Sequence, residues 1–422
     1  MQCAATLTGQ GPATNPVQIP ETQKMPVKAK VKPRPHFSDW DVAKITAVLV
    51  LADGTVIEGY GFGAEGEAVA EVCFNTAMTG YQEILTDPSY AGQIVTFTFP
   101  HIGNVGTNDD DGETMNLAAS AAVKGCIVKA PITEPANYRA KNHFDKWLKS
   151  RGIIGLSGID TRELTNLIRE KGKPNGVIAH NAKGKFDIKK LTAMAKAWGG
   201  LEGLDLAKDV SLTQRMNWDE KLWDWETGYT HGEGKFNVVA IDYGMKRNIL
   251  RCLTSAGCKV TVVPATAKAA DILAMKPDGI FLSNGPGDPA ATGEYAVAEI
   301  RALVDSGKPI FGICLGHQML ALALGAKTMK MHQGHHGANH PVKDYTTNKV
   351  EIVSMNHGFA VDRASLPKGV VETHVSLFDG SNCGIALEGK PVFSVQHHPE
   401  ASPGPQDSHY LFKRFVGLME RV

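Results

Sequence analysis

The chain has 422 residues, of which 43% are hydrophobic and 21% charged, a composition typical of a globular protein with room for two or three domains. Its 44 Lys and Arg residues balance 44 Asp and Glu residues, which excludes the broad basic surface of a protein that binds nucleic acid or an anionic membrane. No apolar run reaches the roughly 18 residues of a membrane-spanning helix, and the seven cysteines contain no Cys-x-x-Cys pair, so the sequence predicts a cytoplasmic protein without a disulfide framework or zinc ribbon.

Residues 1–38 differ in composition from the rest of the chain. They are rich in proline and carry five basic residues against one acidic residue, Glu21. This composition predicts a disordered extension, and it lacks the apolar segment of a secretory signal. Met25 is an alternative candidate for the first translated residue.

Residues 39–198 are predicted to form a strand-rich α/β domain. An alternating pattern on both sides of Asp53-Gly54 indicates a β-hairpin. Further strands are predicted at EVCFNTAM, QIVTFTFP and KGCIVKAPI, and helices at NHFDKWLKSRG and LTNLIREKG, the second capped by Asp160. Residues 199–235 are rich in Gly, Asp and Trp and show no clear period, which predicts a linker that also forms interdomain surface.

Residues 236–422 are predicted to form a second α/β domain. Apolar strands at FNVVAID, KVTVVPA, DGIFLS and KPIFGIC alternate with amphipathic helices. Short connections between them imply right-handed crossovers and a doubly wound, mostly parallel sheet. Ligands of such sheets bind at the carboxyl ends of the strands.

Cys314 lies at one of these strand ends, in the sequence Gly312-Ile313-Cys314-Leu315-Gly316. Two flanking glycines are typical of a nucleophile elbow, in which a sharp turn exposes a reactive side chain. The N-terminus of the following helix favours a thiolate, and the N–H of Leu315 is a candidate oxyanion donor. The alternative is a small buried residue, which is the interpretation we prefer for the other six cysteines.

His398 is the best candidate for the base that such a thiolate needs. It follows the apolar run KPVFSV, and Glu400 lies two residues further on. In an extended chain this spacing places both side chains on one face, so that the carboxylate can orient the imidazole. Alone, a His-x-Glu sequence is weak evidence and more often indicates a solvated turn.

Several motifs together resemble known families. The sequences GICLGHQ at 312–318, HPE at 398–400 and GPGDP at 285–289 are similar to the signature of class I (triad) glutamine amidotransferases. In the first half, MTGYQE at 78–83, TDPSY at 86–90, FPHIGN at 99–104 and IDTR at 159–162 resemble the amino-terminal domain of the small subunit of carbamoyl phosphate synthetases. The combined resemblance extends over about residues 44–422 and implies the class I amidotransferase fold for the second domain.

The resemblance implies a role for each matching residue. Cys314 would form a γ-glutamyl thioester with L-glutamine, His398 would act as base and then as acid, and Glu400 would orient His398. Gly287 and Leu315 would donate N–H groups to the oxyanion. The implied glutamine contacts, which place the pocket between both domains, are Ser89, Gly285, Gln318, Asn356, Gly358 and Phe359.

A partner subunit is also implied. Carbamoyl phosphate synthesis uses ATP with magnesium, whereas this sequence contains no G-x-x-x-x-G-K-[ST] phosphate loop. The resemblance therefore implies a heterodimer with a large synthetase subunit, no cofactor in this chain, and a role in arginine or pyrimidine biosynthesis. The alternatives are a free-standing thiol γ-glutamyl hydrolase and a non-catalytic scaffold.

A histidine-rich segment at 331–341 raises the question of a metal site. Four histidines lie at positions 332, 335, 336 and 340. Because the segment contains no carboxylate or thiol, and because it resembles a family loop without a metal role, we expect a hydrogen-bonded structural loop that binds no metal.

Overall fold

The computed structural model describes residues 44–115 and 123–421, and these residues belong to one compact unit. The predicted extension at 1–38 lies outside the described residues. No helix in the described part of the chain combines the length and the apolar character needed to cross a bilayer.

The described residues of the first half form a closed seven-stranded barrel with four surrounding helices. The strand order is β1-β2-β6-β5-β4-β3-β7, with parallel pairing from β3 to β6 through β4 and β5 and antiparallel pairing elsewhere. The elements are β1 (Ala47–Leu51), β2 (Val56–Gly63), β3 (Gly66–Asn75), α1 (Tyr81–Thr86), β4 (Gln93–Phe97), β5 (Gly125–Ile127), α2 (Phe144–Ser150), β6 (Ile154–Ser157), α3 (Thr161–Lys171), β7 (Asn175–His180) and α4 (Ile188–Ala197).

Strand β1, the first strand of the predicted hairpin, is buried on both faces. Leu49 and Leu51 join a cluster that also includes Ile94 and Ile178 of the barrel strands, whereas the alternate residue Val48 packs beneath α4. Alternation along the strand therefore covers both faces with hydrocarbon. The hairpin and the Asp160 cap of α3 are confirmed; the Asp160 carboxylate accepts hydrogen bonds from the N–H groups of Arg162 and Glu163.

The second half contains a ten-stranded sheet. Its order is β14-β13-β15-β16-β17-β12-β11-β9-β10-β8, with parallel pairing among the five strands from β17 to β10 and antiparallel pairing at both sides. The elements are α5 (Ala207–Val210), β8 (Met216–Trp218), β9 (Phe236–Asp242), α6 (Arg247–Ser255), β10 (Cys258–Pro264), α7 (Ala269–Ala274), β11 (Gly279–Leu282), α8 (Pro289–Asp305), β12 (Ile310–Ile313), α9 (Leu315–Leu324), β13 (Thr328–Asp344), β14 (Lys349–Val361), β15 (Val370–Ser376), β16 (Asn382–Leu387), β17 (Val392–Val395) and α10 (Tyr410–Met419).

Helices cover both faces of the parallel part, which confirms the doubly wound fold. On β9, Val239 belongs to a core cluster with residues of α7, α8 and α9, whereas its neighbour Val238 belongs to a cluster with residues of α6 and α10. Phe311 at the centre of the second cluster stacks on Phe393 with ring centroids 4.5 Å apart. Burying one such ring stabilises the fold by about 1.5–3 kcal/mol.

Two segments differ from the sequence-based expectations. Part of the predicted linker forms β8, which pairs with the edge strand β10. The histidine-rich segment is not a loop but part of the long strand β13, whose pairing with β14 is interrupted by two irregularities. In each case tertiary pairing outweighs the local turn residues.

Candidate active site

Cys314 occupies the sharp corner between β12 and α9. Its backbone has φ 54° and ψ −105°, a strained conformation for a residue with a side chain, and such strain is common at functional sites. The flanking glycines are required by close approach: a Cβ on Gly312 would lie 2.9 Å from the Gly316 carbonyl oxygen, and a Cβ on Gly316 would lie 2.2 Å from the Leu282 oxygen. These contacts close the turn, so the thiol is held at the carboxyl end of the sheet, as the sequence predicted.

The first turn of α9 supplies an N–H group for an oxyanion. The N–H of Gly316 donates to Ser283 and that of Gln318 to Cys314, whereas the N–H of Leu315 has no hydrogen-bond partner in the described part of the chain. Gly285 packs against Leu315, since a Cβ on Gly285 would lie 2.9 Å from the Leu315 Cδ2 atom. Gly287 has φ 90°, which favours glycine at this position. The two predicted donors therefore belong to segments that are in contact.

His398 and Glu400 form a buried pair. The Nδ1 atom of His398 lies 2.7 Å from the Glu400 Oε1 atom, and both side chains are almost completely buried. The Nε2 atom of His398 bonds to no other described residue, which leaves it available to the thiol and the substrate. Burial opposes the charged imidazole, but the Glu400 carboxylate and the Cys314 sulfur outweigh this effect and raise the pKa of His398 to about 10.

Lys246 is a site residue that the sequence analysis missed. Its buried ammonium lies 2.9 Å from the Glu400 Oε1 atom and donates a second hydrogen bond, 2.6 Å long, to the carbonyl of Ser402. Burial raises the pKa of Glu400, but Lys246 and His398 together lower it well below its usual range. Lys246 therefore keeps the carboxylate ionised beside His398. Its position just after β9, at the carboxyl end of a parallel strand, was the available signal.

Ser89 of the barrel half reaches the second half, as the resemblance implied. The Asn284 side chain donates a 2.9 Å hydrogen bond to the Ser89 hydroxyl, and the Asn356 amide donates a 3.3 Å bond to Asp87. The Cys314 thiol in turn lies 3.6 Å from the carbonyl oxygen of Asn356. Asp87 and Asn284 were not predicted as site residues, although both lie within or beside quoted motifs.

The remaining predicted residues lie along β14 and α9. The Gln318 amide donates a 2.7 Å hydrogen bond to the carbonyl of Phe359, which fixes this strand against the helix that follows Cys314. Gly358 lies between Phe359 and His357, whose Nδ1 atom is 2.8 Å from the same carbonyl. Contacts through Asn356, Gln318 and Leu315 thus connect predicted site residues of both halves to the region of Cys314.

Comparison with known proteins identifies the family. A sequence model described as Glutamine amidotransferase class-I matches residues 239–418, and one described as Carbamoyl-phosphate synthase small chain, CPSase domain, matches residues 49–178. Carbamoyl phosphate synthase small chain of Bradyrhizobium diazoefficiens is 70% identical over 92% of this chain and 98% of its own length. The chain belongs to the carbamoyl phosphate synthase small chain family. The proteins of the same name from Mesorhizobium japonicum and Rhizobium meliloti are 70% and 69% identical, each over 90% of this chain and 96% of its own length.

Among solved structures, a glutamine amidotransferase from Thermotoga maritima is 21% identical, with a TM-score of 0.32, and the match covers 39% of this chain and 76% of that protein. The two sequence models match the two halves of this carbamoyl phosphate synthase small chain family member. Cys314, His398 and Glu400 lie in the amidotransferase half, whereas Ser89 lies in the other half.

The histidine-rich strand of this family member lies next to the site. His335 pairs with Asp379 at 3.0 Å, and the His336 Nδ1 atom lies 2.9 Å from the Asn356 side-chain oxygen. Burial lowers the pKa of His336 and of His357 well below the usual range, so both are neutral at pH 7. In the described residues no group of three or more His, Cys, Asp or Glu side chains is placed to hold a metal ion.

Proposed function

We propose that this chain is the glutamine-hydrolysing subunit of a carbamoyl phosphate synthase. It would release ammonia from L-glutamine and pass it to a large synthetase subunit, which would make carbamoyl phosphate from bicarbonate and ATP. The observation that carries the proposal is the strained Cys314 at the strand-to-helix corner, beside the buried pair of His398 and Glu400. A scaffold protein needs neither the strain nor the buried charges.

The reaction begins with attack of the Cys314 sulfur on the side-chain amide carbon of glutamine. Negative charge develops on the amide oxygen, and we propose that the N–H groups of Leu315 and Gly287 stabilise it; the Leu315 N–H has no other hydrogen-bond partner in the described residues. With a pKa of about 10, His398 holds a proton at neutral pH, so its first task is to protonate the leaving nitrogen. The products of this half-reaction are ammonia and a γ-glutamyl thioester.

Hydrolysis of the thioester reverses the roles. His398, now deprotonated, takes a proton from water, and the hydroxide attacks the thioester carbon. Glutamate leaves, and the proton on His398 restores the starting state. Glu400, held ionised by Lys246, orients the imidazole and stabilises its protonated form before the first half-reaction and after the second.

Support for the partner comes from the chemistry and the family. The product of this site is ammonia, whereas ATP chemistry needs a phosphate site that the sequence pattern lacks. We therefore propose a heterodimer in which ATP and magnesium belong to the large subunit. Because the catalytic thiol must stay reduced, we propose that the complex works in the cytoplasm.

The test compares glutamine hydrolysis by the chain alone and with a large subunit, bicarbonate and ATP. We expect low activity alone, strong stimulation by the partner, and loss of glutamine turnover in Cys314→Ser with ammonia-dependent synthesis retained. The matched control is Cys252→Ser, a buried cysteine of α6, which is expected to retain glutamine hydrolysis. Rapid partner-independent hydrolysis of γ-glutamyl peptides would instead indicate a free-standing hydrolase, and no turnover under any condition would indicate a scaffold.

A further inference from the structure

Glu71 on β3 is a buried carboxylate with two lysine partners. Lys173 lies 2.8 Å from its Oε1 atom, and both of these side chains are at most 2% exposed. Lys330 lies 3.1 Å from the Oε2 atom and is more exposed. Burial raises the pKa of Glu71, but the two ammonium groups outweigh it and lower that pKa. The three side chains therefore carry one net positive charge.

Lys173 reaches from the barrel to the strand that lines the glutamine pocket. Its backbone N–H donates to the carbonyl of His332 on β13. A Cβ added to Gly358 on β14 would lie only 2.2 Å from the Lys173 Nζ atom. Gly358 is not among the glycines with positive φ, so the crowding of a side chain at this position comes from the Lys173 ammonium and not from the backbone conformation.

The contact falls on the side of β14 that serves the site. Side chains two residues apart in a strand share a face, so the space beside Gly358 lies on the same side as the Asn356 side chain. The Asn356 amide contacts Asp87, next to Ser89, and the Phe359 carbonyl accepts from Gln318. The Lys173 ammonium fills the space that a side chain at 358 would occupy on this face.

We propose that Lys173, fixed by Glu71, is a positioning residue of the glutamine pocket that sets the location of Gly358 and hence of the wall from Asn356 to Phe359. The inference rests on the proposed function of the site. Lys173 acts through the strand and not on the reacting atoms. Its loss is therefore expected to affect glutamine binding more than the chemical step, because His398, Glu400 and Lys246 do not depend on it.

The test measures KM and kcat for glutamine in the complex with the large subunit. Lys173→Met is expected to raise KM for glutamine about tenfold with kcat within about twofold, since displacement of a binding wall by about 1 Å costs up to ~10²-fold in efficiency. Ammonia-dependent synthesis is expected to be unchanged. Lys330→Met is the matched control, because it removes the other cation of Glu71 without the contact at Gly358.

Further variants distinguish the proposed effect on glutamine binding from a general loss of folding. Glu71→Gln/Lys173→Met removes the buried pair together, which avoids an uncompensated charge, and is expected to raise KM as Lys173→Met does. Gly358→Ala is expected to raise KM for glutamine because its methyl group collides with the Lys173 ammonium. Adding Lys173→Ala to this variant is expected to reverse part of the increase in KM.

The inference is overturned if Lys173→Met and Glu71→Gln/Lys173→Met have the same glutamine KM as Lys330→Met. It is also overturned if the effects of Gly358→Ala and Lys173→Ala are simply additive. Either result with active wild type leaves the proposed function intact. Failure of the wild-type complex to hydrolyse glutamine would remove the proposed function as well.

Discussion

Gly316 and Gly417 both lie in helices, yet alanine at the two positions is expected to have opposite effects. At Gly316 in α9 the added Cβ would lie 2.2 Å from the Leu282 carbonyl oxygen and 2.6 Å from its carbon, whereas at Gly417 in α10 nothing lies within 4 Å. Relief of the first contact requires α9 to move by roughly 1 Å from β11, at a cost of about 1–3 kcal/mol. The better helix propensity of alanine offsets only about 0.5–1 kcal/mol of this cost.

The same displacement would move Cys314 and the N–H of Leu315, which precede Gly316 in the turn. A shift of about 1 Å in a reacting group lowers catalytic efficiency by up to ~10²-fold. Gly417→Ala has no such contact and is expected to stabilise the chain by about 0.5–1 kcal/mol with normal activity. Urea unfolding followed by circular dichroism and kcat/KM for glutamine in the complex measure both effects. Equal stability of the two variants, with full activity of Gly316→Ala, would refute the assignment of the elbow geometry.

Three other substitutions test the charges and caps of the site. Glu400→Gln removes a main cause of the raised pKa of His398, so the loss of kcat/KM that is expected in the wild type as pH rises through about 10 should move to lower pH. Because of the raised pKa, the pair of His398 and Glu400 also stabilises the fold below about pH 6.5, and this stabilisation is lost as pH rises towards 10. Glu400→Gln should therefore flatten the fall in stability at alkaline pH, and unchanged pH profiles of activity and stability would contradict the role of Glu400. Lys246→Met leaves the buried Glu400 carboxylate without its ammonium partner, and it is expected to lower the free energy of unfolding, measured in urea, by about 3–5 kcal/mol. A decrease of less than about 1 kcal/mol would show that the pair is not buried. Asp288→Ala removes the N-cap of α8 and the acceptor of the Gly203 N–H, and it is expected to lower the free energy of unfolding by about 1–2 kcal/mol and to lower glutaminase activity. Asp288→Asn keeps an acceptor oxygen and should recover part of the stability and part of the activity. Equal stability and activity of the two variants would argue against the capping role of Asp288.

Much of the site follows from local sequence. The two glycines at 312 and 316 specify a turn that no larger residue fits, and the two-residue spacing of His398 and Glu400 brings imidazole and carboxylate together in extended chain. Apolar strands alternating with amphipathic helices likewise predict the doubly wound sheet, because each pattern reports which face of its own element is buried. The pairing of the histidine-rich segment in β13 could not be predicted in this way, since its two glycines and its proline locally favour a loop.

Tertiary structure alone decided which distant residues meet the triad and how they are charged. Lys246 and Glu400 are 154 residues apart, and Ser89 and Asn284 are 195 apart. The pKa of His398 depends on the removal of water from the pair and on the carboxylate and sulfur around it, and the contact of Lys173 with Gly358 exists only because barrel and sheet pack together. A sequence records residue types and spacing along the chain, whereas burial and charge proximity arise from the folded arrangement.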